Sequence, residues 1–248
     1  MSAIAVGVPT AGPPTWKLVM SLLGLAGSVG RFDFSRIDGQ APDEARNHLA
    51  TWFLRQTGAD SLLFVDRDAV LHPDTAARLA SWNVDIVGAL SFTRYRPVVP
   101  TVYRGVHPDF PDDYEVRVDD TRDWIRAHPE LWTSEPAIIE PRPDDALTEV
   151  DFTGAHCLLV SRKALEVIGY PWFQARQIDP ERLGEDRFFC EKARAAGLAV
   201  YVDRSVIAGH QYGEGSLGAL DFLVWDSLMD WKTKQLTVPA RVGPSQAF

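Results

Sequence analysis

Ser61-Leu62-Leu63-Phe64-Val65-Asp66-Arg67-Asp68 is the stretch on which the fold turns. Its apolar run, Ser61 to Val65, shows no polar alternation and is stopped abruptly by Asp66, which is how a strand covered on both faces reads. Upstream, Asp43 to Gln56 places Ala45, Leu49, Trp52 and Phe53 on one helical face, with Gly58 ending the helix. Downstream, Pro73 to Trp82 is helix-like and Asp85 to Leu90 is another apolar run. Earlier still, Ile4 to Val8 is a β-branched strand delivered into a loop at Pro9 and Thr10, and residues 15–25 have helical spacing through Trp16, Val19, Met20 and Leu23. Strand, helix, strand, helix, strand predicts an α/β fold with a mostly parallel central sheet and helices on both faces. Trp16, Trp52 and Trp82 then read as core.

From Thr93 to Glu149 the text changes, with prolines at 97, 100, 108, 111, 129, 136, 141 and 143 and acids clustered at 109–123, so long loops and edge strands are expected there. Order returns at Val150: Phe152 to Val160 reads as a strand, Ser161 to Ile168 as a short helix, Glu185 to Ala196 as a longer one, and Leu198 to Val202 as a last strand. Trp225 and Trp231 lie on a further helix before a polar tail. The economical organisation is one domain, 1–248, with a nucleotide-binding half (1–92), a loop-rich insert (93–149), a smaller mixed-sheet acceptor and catalytic half (150–219), and a C-terminal helix and tail (220–248).

Acids outnumber bases, 34 to 25, for a formal charge of -9, which removes any general attraction to phosphate backbones or anionic lipid. A nucleic-acid partner would need a local basic patch such as Arg94, Arg96 and Arg104. Leu18 to Val29, the longest apolar stretch near the N-terminus, is too short to span a bilayer, and a cytoplasmic protein is expected. Cys157 and Cys190 sit in apolar runs without zinc spacing and read as buried free thiols.

Three constellations could carry chemistry. Asp66 and Asp68 stand at the carboxyl end of a buried strand, the edge at which open α/β sheets bind ligands. A hard cation such as Mg²⁺ or Mn²⁺ shares one or two carboxylates with substrate phosphates, so this pair suits a nucleoside diphosphate; a solvated strand end is the plainer reading. Glu185 and Asp186 open a helix, where acids favourably meet the helix dipole, and where a carboxylate could equally take a proton from an attacking hydroxyl. His210 closes the apolar segment Ser205 to Gly209 and is either an ordinary histidine or a further Mn²⁺ ligand.

Together these pieces resemble the GT-A (Rossmann-like) glycosyltransferases, particularly family-two-like enzymes of phages and bacteria. The matching text is Val8-Pro9-Thr10, Ala45-Arg46-Asn47, Phe64-Val65-Asp66-Arg67-Asp68, Phe152-Thr153-Gly154, Pro171-Trp172-Phe173, Gly184-Glu185-Asp186 and Gly209-His210, in order over residues 4–212. The resemblance implies a sugar transferred from a nucleotide-diphosphate-sugar, a UDP- or GDP-sugar, to a hydroxyl of a saccharide, a protein or a modified DNA base. It implies that Pro9 and Thr10 meet the nucleoside, Arg46 the diphosphate, and Asp66 the ribose and metal. Asp68 and His210 would complete an Mn²⁺ or Mg²⁺ site. Asp186, with Glu185 beside it, would be the base of an inverting transfer. Gly154 would let the backbone approach the donor sugar, and Trp172 would face the acceptor. The chain departs from the family in its first loop, Ala11-Gly12-Pro13-Pro14, and in Ala69, where many relatives carry another acid.

Two other classes share some of this text. Asp66-Arg67-Asp68-Ala69-Val70 also looks like the first motif of haloacid-dehalogenase-type phosphohydrolases, with Asp66 as nucleophile, although that motif normally opens its fold. A non-catalytic nucleotide-sugar or carbohydrate binding module would use the chain's many aromatic residues for stacking.

Overall fold

The apolar runs of the N-terminal half fold as strands in the computed structural model, which describes residues 3–10, 12–94, 97–104, 114–178, 181–230 and 235–236. They are β1 (Ile4–Thr10), β3 (Ser61–Val65) and β5 (Ile86–Leu90). Between them lie α1 (Trp16–Val29), β2 (Asp33–Asp38), α2 (Pro42–Gln56), a short β4 (Ala69–Val70) and α3 (Thr75–Ala80). The second half adds β6 (Val102–Tyr103), α4 (Tyr114–Ala127), β7 (Ala137–Ile138), β8 (Leu147–Val150), β9 (Phe152–Thr153), β10 (Cys157–Ser161) and α5 (Arg162–Ile168). There follow a hairpin of β11 (Arg176–Ile178) and β12 (Glu181–Leu183), α6 (Glu185–Ala195), β13 (Val200–Ile207), β14 (Gly209–Tyr212), β15 (Gly215–Leu217) and α7 (Ala219–Leu228).

The main sheet has eight strands in the order β2-β1-β3-β10-β5-β13-β7, with β8 also paired to β13. β1 is parallel to β2 and β3, and β13 is parallel to β5. β10 is antiparallel to both its neighbours, as β7 and β8 are to β13. β3 and β5 are therefore separated by one reversed strand. This leaves a break in the parallel run at the carboxyl ends of β3 and β5, the kind of switch point where α/β sheets hold ligands.

Alternation along each strand divides the core in two. Val6, Val8, Leu63, Val65, Val87 and Ala89 face α1 and α3, while Leu62, Phe64, Ile86, Leu158 and Val160 face α2, α5 and α6. The fold is thus α/β, with a mainly parallel sheet flanked by helices. Gly7 marks the tightest contact, since a Cβ there would lie 3.3 Å from Leu49 and Leu62, and α2 could not pack so closely on β1.

Several expectations need correction. The insert 93–149 contains the 14-residue α4, and Trp124, Ile125, Leu131, Ile139 and Ala146 from it belong to the larger core, so the prolines flank packed elements. Trp16 is 72% exposed. The buried stripe of α1 is Leu18, Ser21 and Leu25, because the Ser21 hydroxyl accepts the Leu71 amide at 2.9 Å and takes a place that an apolar count assigns elsewhere. Trp52 and Trp82 are partly buried against the core. The run Phe152 to Val160 is two strands broken at Gly154, and β13 extends to Ile207. α2 ends at Gln56, with Thr57 as its cap. Trp231 and most of the tail lie outside the described residues. No described helix is long and apolar enough to cross a membrane.

Candidate active site

Pairing registers assemble the site. β10 runs back alongside β3 with Cys157 opposite Val65, and one step further the Asp66 amide donates to the His156 carbonyl at 3.0 Å. β14 pairs with β4, setting His210 opposite Ala69, and the Gln211 amide donates to the Asp68 carbonyl at 2.7 Å. Three segments far apart in sequence thus bring Asp66, Asp68, His156 and His210 to one place.

The imidazole orientations are fixed by backbone carbonyls. His210 Nδ1 lies 2.9 Å from the Phe92 carbonyl, which can only accept, so Nδ1 carries the hydrogen and Nε2 is turned to Asp68 Oδ2 at 3.2 Å. His156 Nε2 is likewise 3.1 Å from the Gly209 carbonyl. Its Nδ1 is buried without a hydrogen-bond partner, 3.6 Å from Asp66 Oδ2. The two rings stack with centroids 4.1 Å apart. One ligand atom from each of Asp68, His156 and His210 lies within 4.8 Å of the others. An orphaned imidazole nitrogen and a second nitrogen with its far side hydrogen-bonded to a carbonyl, both beside a carboxylate, are what a divalent-cation site requires.

The electrostatics favour positive charge here. Burial pushes His156 down, but the nearby carboxylates of Asp66 and Asp68 outweigh it and raise its affinity for a proton. Burial pushes Asp68 up, yet His210, His156 and Arg94 hold it well below the usual carboxylate range. Asp66 behaves the same way: Arg46 and His156 overcome its burial and lower it.

Arg46, buried on α2, organises the opposite wall. Its guanidinium donates to Asp66 Oδ1 at 2.6 Å and to Glu185 Oε1, and its Nε is buried without a partner. Beyond it, Asp186 opens α6 with its Oδ1 accepting the Arg187 amide at 2.8 Å. Burial first, then the charge of Glu185, pushes its carboxyl up to about 6 against the pull of Arg46. The carboxylate fits because Gly184 lacks a side chain: a Cβ there would lie 2.5 Å from Asp186 Oδ1, whereas one on Gly154 would be crowded by Thr101, 3.2 Å from its Oγ1.

Arg46, Asp66, Asp68, Glu185 and His210 line, with Pro9 and Thr10, a cleft of ≈ 460 Å³; His156 and Asp186 are not among its lining residues. Thr101, whose carbonyl accepts the Gly154 amide at 3.1 Å, lies on the same wall. Trp172 is not brought here. It is 6% exposed in the larger core, and its indole donates to the Leu165 carbonyl at 2.7 Å. The Trp172 and Phe173 amides both donate to Asn47 Oδ1, at 3.0 and 3.1 Å, so this stretch anchors α2. An acceptor-facing Trp172 is therefore replaced by a structural one. Of the residues suggested for a basic patch, Arg94 donates to Asp68 at 2.9 Å, Arg104 donates to Thr148 and the Glu149 carbonyl, and Arg96 lies outside the described residues.

His156 is the member of the site that sequence reasoning missed. Its run reads as one strand, and only the reversed direction of β10 aims its first residues at Asp66. A lone histidine beside Gly154 was the available signal.

Strand order defines an α/β fold with a mainly parallel sheet. Neither a family model nor a curated protein matches the sequence. Among solved structures, the chain is similar to A197 from STIV, with a TM-score of 0.56 and 18% identity over 88% of this chain and 94% of that one. It is also similar to GalNAc-T7 solved with UDP, GalNAc and Mn²⁺, a GT-A glycosyltransferase, with a TM-score of 0.51 and 12% identity over 86% of this chain and 43% of that one. At such identities the likeness shows the fold alone.

Proposed function

We propose that the protein is a nucleotide-sugar-dependent glycosyltransferase that moves a sugar from a UDP- or GDP-sugar to a hydroxyl acceptor. The observation that carries this reading is that one cleft at the carboxyl ends of β1 and β3 is lined by Asp68 and His210, two members of the Asp68, His156 and His210 group, together with Arg46 and Glu185, the residue before Asp186, whose carboxyl burial pushes up to about 6. The GT-A likeness, and the UDP and Mn²⁺ in the GalNAc-T7 structure, are consistent with it.

In this reading Pro9 and Thr10 meet the nucleoside, residues 1–92 forming the donor half. Asp68, His156 and His210 hold Mn²⁺ or Mg²⁺, and Asp66 faces the ribose side of the cleft. The cation, when bound, supplies Lewis-acid neutralisation of the departing nucleoside diphosphate. Arg46 fixes Asp66 and Glu185 and adds positive potential where phosphate would lie. Asp186 takes the proton of the acceptor hydroxyl as that oxygen attacks the anomeric carbon, giving inversion, and its raised pKa suits a base working near neutrality. Glu185 keeps that carboxyl raised, and Gly154 keeps the approach open. Residues 150–219 form the catalytic half, with 93–149 as an insert packed into the core. The phosphohydrolase reading is not favoured, because Asp66, its nucleophile, is tied to Arg46.

Thermal-shift titration with nucleoside diphosphates and nucleotide sugars, each with and without Mn²⁺ or Mg²⁺, tests the proposal, since a ligand stabilises the native state in proportion to its occupancy. A metal-dependent shift that disappears in Asp68→Ala is expected. No shift with any nucleotide would refute the donor reading.

A further inference from the structure

A second cavity, of ≈ 430 Å³, shares Arg94 with the cleft and lies within the size range of small-molecule sites, roughly 300–1,000 Å³. Its walls come from the β14–β15 hairpin, the first turns of α7 and the segment Ser134-Glu135. The hairpin links it to the reaction centre. His210 and Tyr212 are two residues apart on β14, so they share a face, one lining the cleft and the other the second cavity.

The lining has a definite chemistry. Glu135, Glu214 and Asp221 supply carboxylates, and Asp221 uses Oδ2 to accept the Gly218 amide at 2.8 Å. The cationic group on this wall, Arg94, donates to Asp68 at 2.9 Å. Tyr212, 46% exposed, and the partly buried Trp225 supply aromatic surface. Carboxylates accept hydrogen bonds from hydroxyl groups and repel phosphates and other carboxylates. Aromatic faces cover the C–H faces of a sugar ring while its hydroxyls reach polar partners at the rim.

We infer that this cavity is the acceptor site and that the acceptor is a neutral saccharide. The word acceptor rests on the transferase reading; the saccharide specificity rests on the cavity itself. A DNA acceptor would bring phosphates against three carboxylates whose nearest counter-charge is engaged with Asp68. A basic peptide is the competing occupant for an acidic, aromatic wall; a saccharide is favoured because the cavity offers the Tyr212 and Trp225 rings beside hydrogen-bond acceptors, the pairing that a ring with C–H faces and hydroxyl edges fits.

The test is saturation-transfer NMR with the methyl glycosides of glucose, galactose and mannose, a lysine-containing peptide and a short oligodeoxynucleotide as probes. It compares the wild type with Val224→Trp, which fills the cavity from a residue 48% exposed, and with Tyr212→Ala. Circular dichroism confirms folding, and UDP and GDP binding with Mn²⁺ reports the donor cleft separately. At least one glycoside is expected to bind, weakened tenfold or more by Val224→Trp and severalfold by Tyr212→Ala, with nucleotide binding unchanged. If no glycoside binds while a nucleoside diphosphate does, the saccharide inference falls and the transferase reading stands. Glycoside binding indifferent to both variants, or cavity-dependent binding of the peptide or oligonucleotide instead, also overturns it. Cavity-dependent glycoside binding without any nucleotide binding supports the saccharide site and removes the transferase.

Discussion

Replacing Asp186 by Asn should make the protein more stable at mildly alkaline pH and inactive at once. The carboxyl is held up at about 6, chiefly by burial and then by Glu185. An aspartate in the unfolded chain titrates near ~3.9. The folded value is the higher one, so the native state binds the extra proton between the two. Below about pH 4 the group is protonated in both states and has no effect on stability. Above about pH 6 it is ionised in both, and the fold carries the full cost of a charge in a poor environment. At ~1.4 kcal/mol per pKa unit that cost, with the pull of Arg46 already included, is about 3 kcal/mol, and solvent screening through partial exposure reduces it to roughly 1–2 kcal/mol.

Asn has the same shape and no charge, so it removes the cost. At about pH 8 its melting temperature should exceed that of the wild type by roughly 2–8 °C. The gain should shrink toward zero as the pH falls to about 4. Transfer should drop by ~10²–10⁴, the usual worth of a general base, with nucleotide binding intact. Wild-type turnover itself should rise with pH through about 6 as Asp186 loses its proton. Thermal unfolding of both proteins across this range, with donor turnover measured alongside, is the assay. A melting difference that does not vary with pH, or an Asn variant destabilised at alkaline pH, would show that Asp186 stores no such cost.

Arg46→Met should destabilise the fold by about 3–5 kcal/mol, because it strands Asp66 and Glu185 beside one another without their shared cation; urea unfolding reads this, and a loss under ~1 kcal/mol would contradict the pairing. Trp172→Ala should cost about 3–5 kcal/mol as a core cavity, whereas Trp16→Gln, at an exposed position, should stay within about 0.5 kcal/mol; equal effects in the same assay would contradict the assigned burial. Burial pushes the Cys157 and Cys190 thiols up to about 12, so neither should react with a thiol reagent in the native protein at about pH 8, and both should react once it is unfolded.

What could be read from sequence follows the range of the interactions involved. Ser61 to Val65 and Ile86 to Leu90 were legible because burial on both faces writes itself as an unbroken apolar run. β2 was not, since an edge strand with Asp33, Arg36 and Asp38 has no apolar signature, although it pairs with β1 along six residues. α4 was obscured by acidic, proline-flanked text. The placement of Asp68 and Glu185 at one cleft could be anticipated from their position at element ends. His156 could not, because its meaning depends on the direction of β10 and on which strands flank it. Trp172 failed in the opposite way: a recognisable motif turned out to be the backbone clamp of Asn47, and motif text alone does not separate a ligand contact from a scaffold contact.

The reversed strand explains why the site is composite. Had β3 and β5 been adjacent, their carboxyl-end loops would have met over a closed edge, with no side chain arriving from the opposite direction. β10 enters that gap at its amino end, so its first residues lie among the last residues of its parallel neighbours. Gly154 and His156 are thereby carried to the rim occupied by Asp66, and Asp186 follows on α6 against Gly154. The end of β3 thus supplies Asp66 and Asp68 and α6 supplies Glu185, while the start of the antiparallel strand supplies an imidazole and an open backbone. The same arrangement separates the charges by role. Arg46 neutralises Asp66 and Glu185 on one wall, leaving Asp68 with two imidazoles and Arg94 on the other and Asp186 incompletely compensated between Glu185 and Arg46. A lost glycine at position 184 would bring a Cβ 2.5 Å from Asp186 Oδ1 and displace that carboxylate.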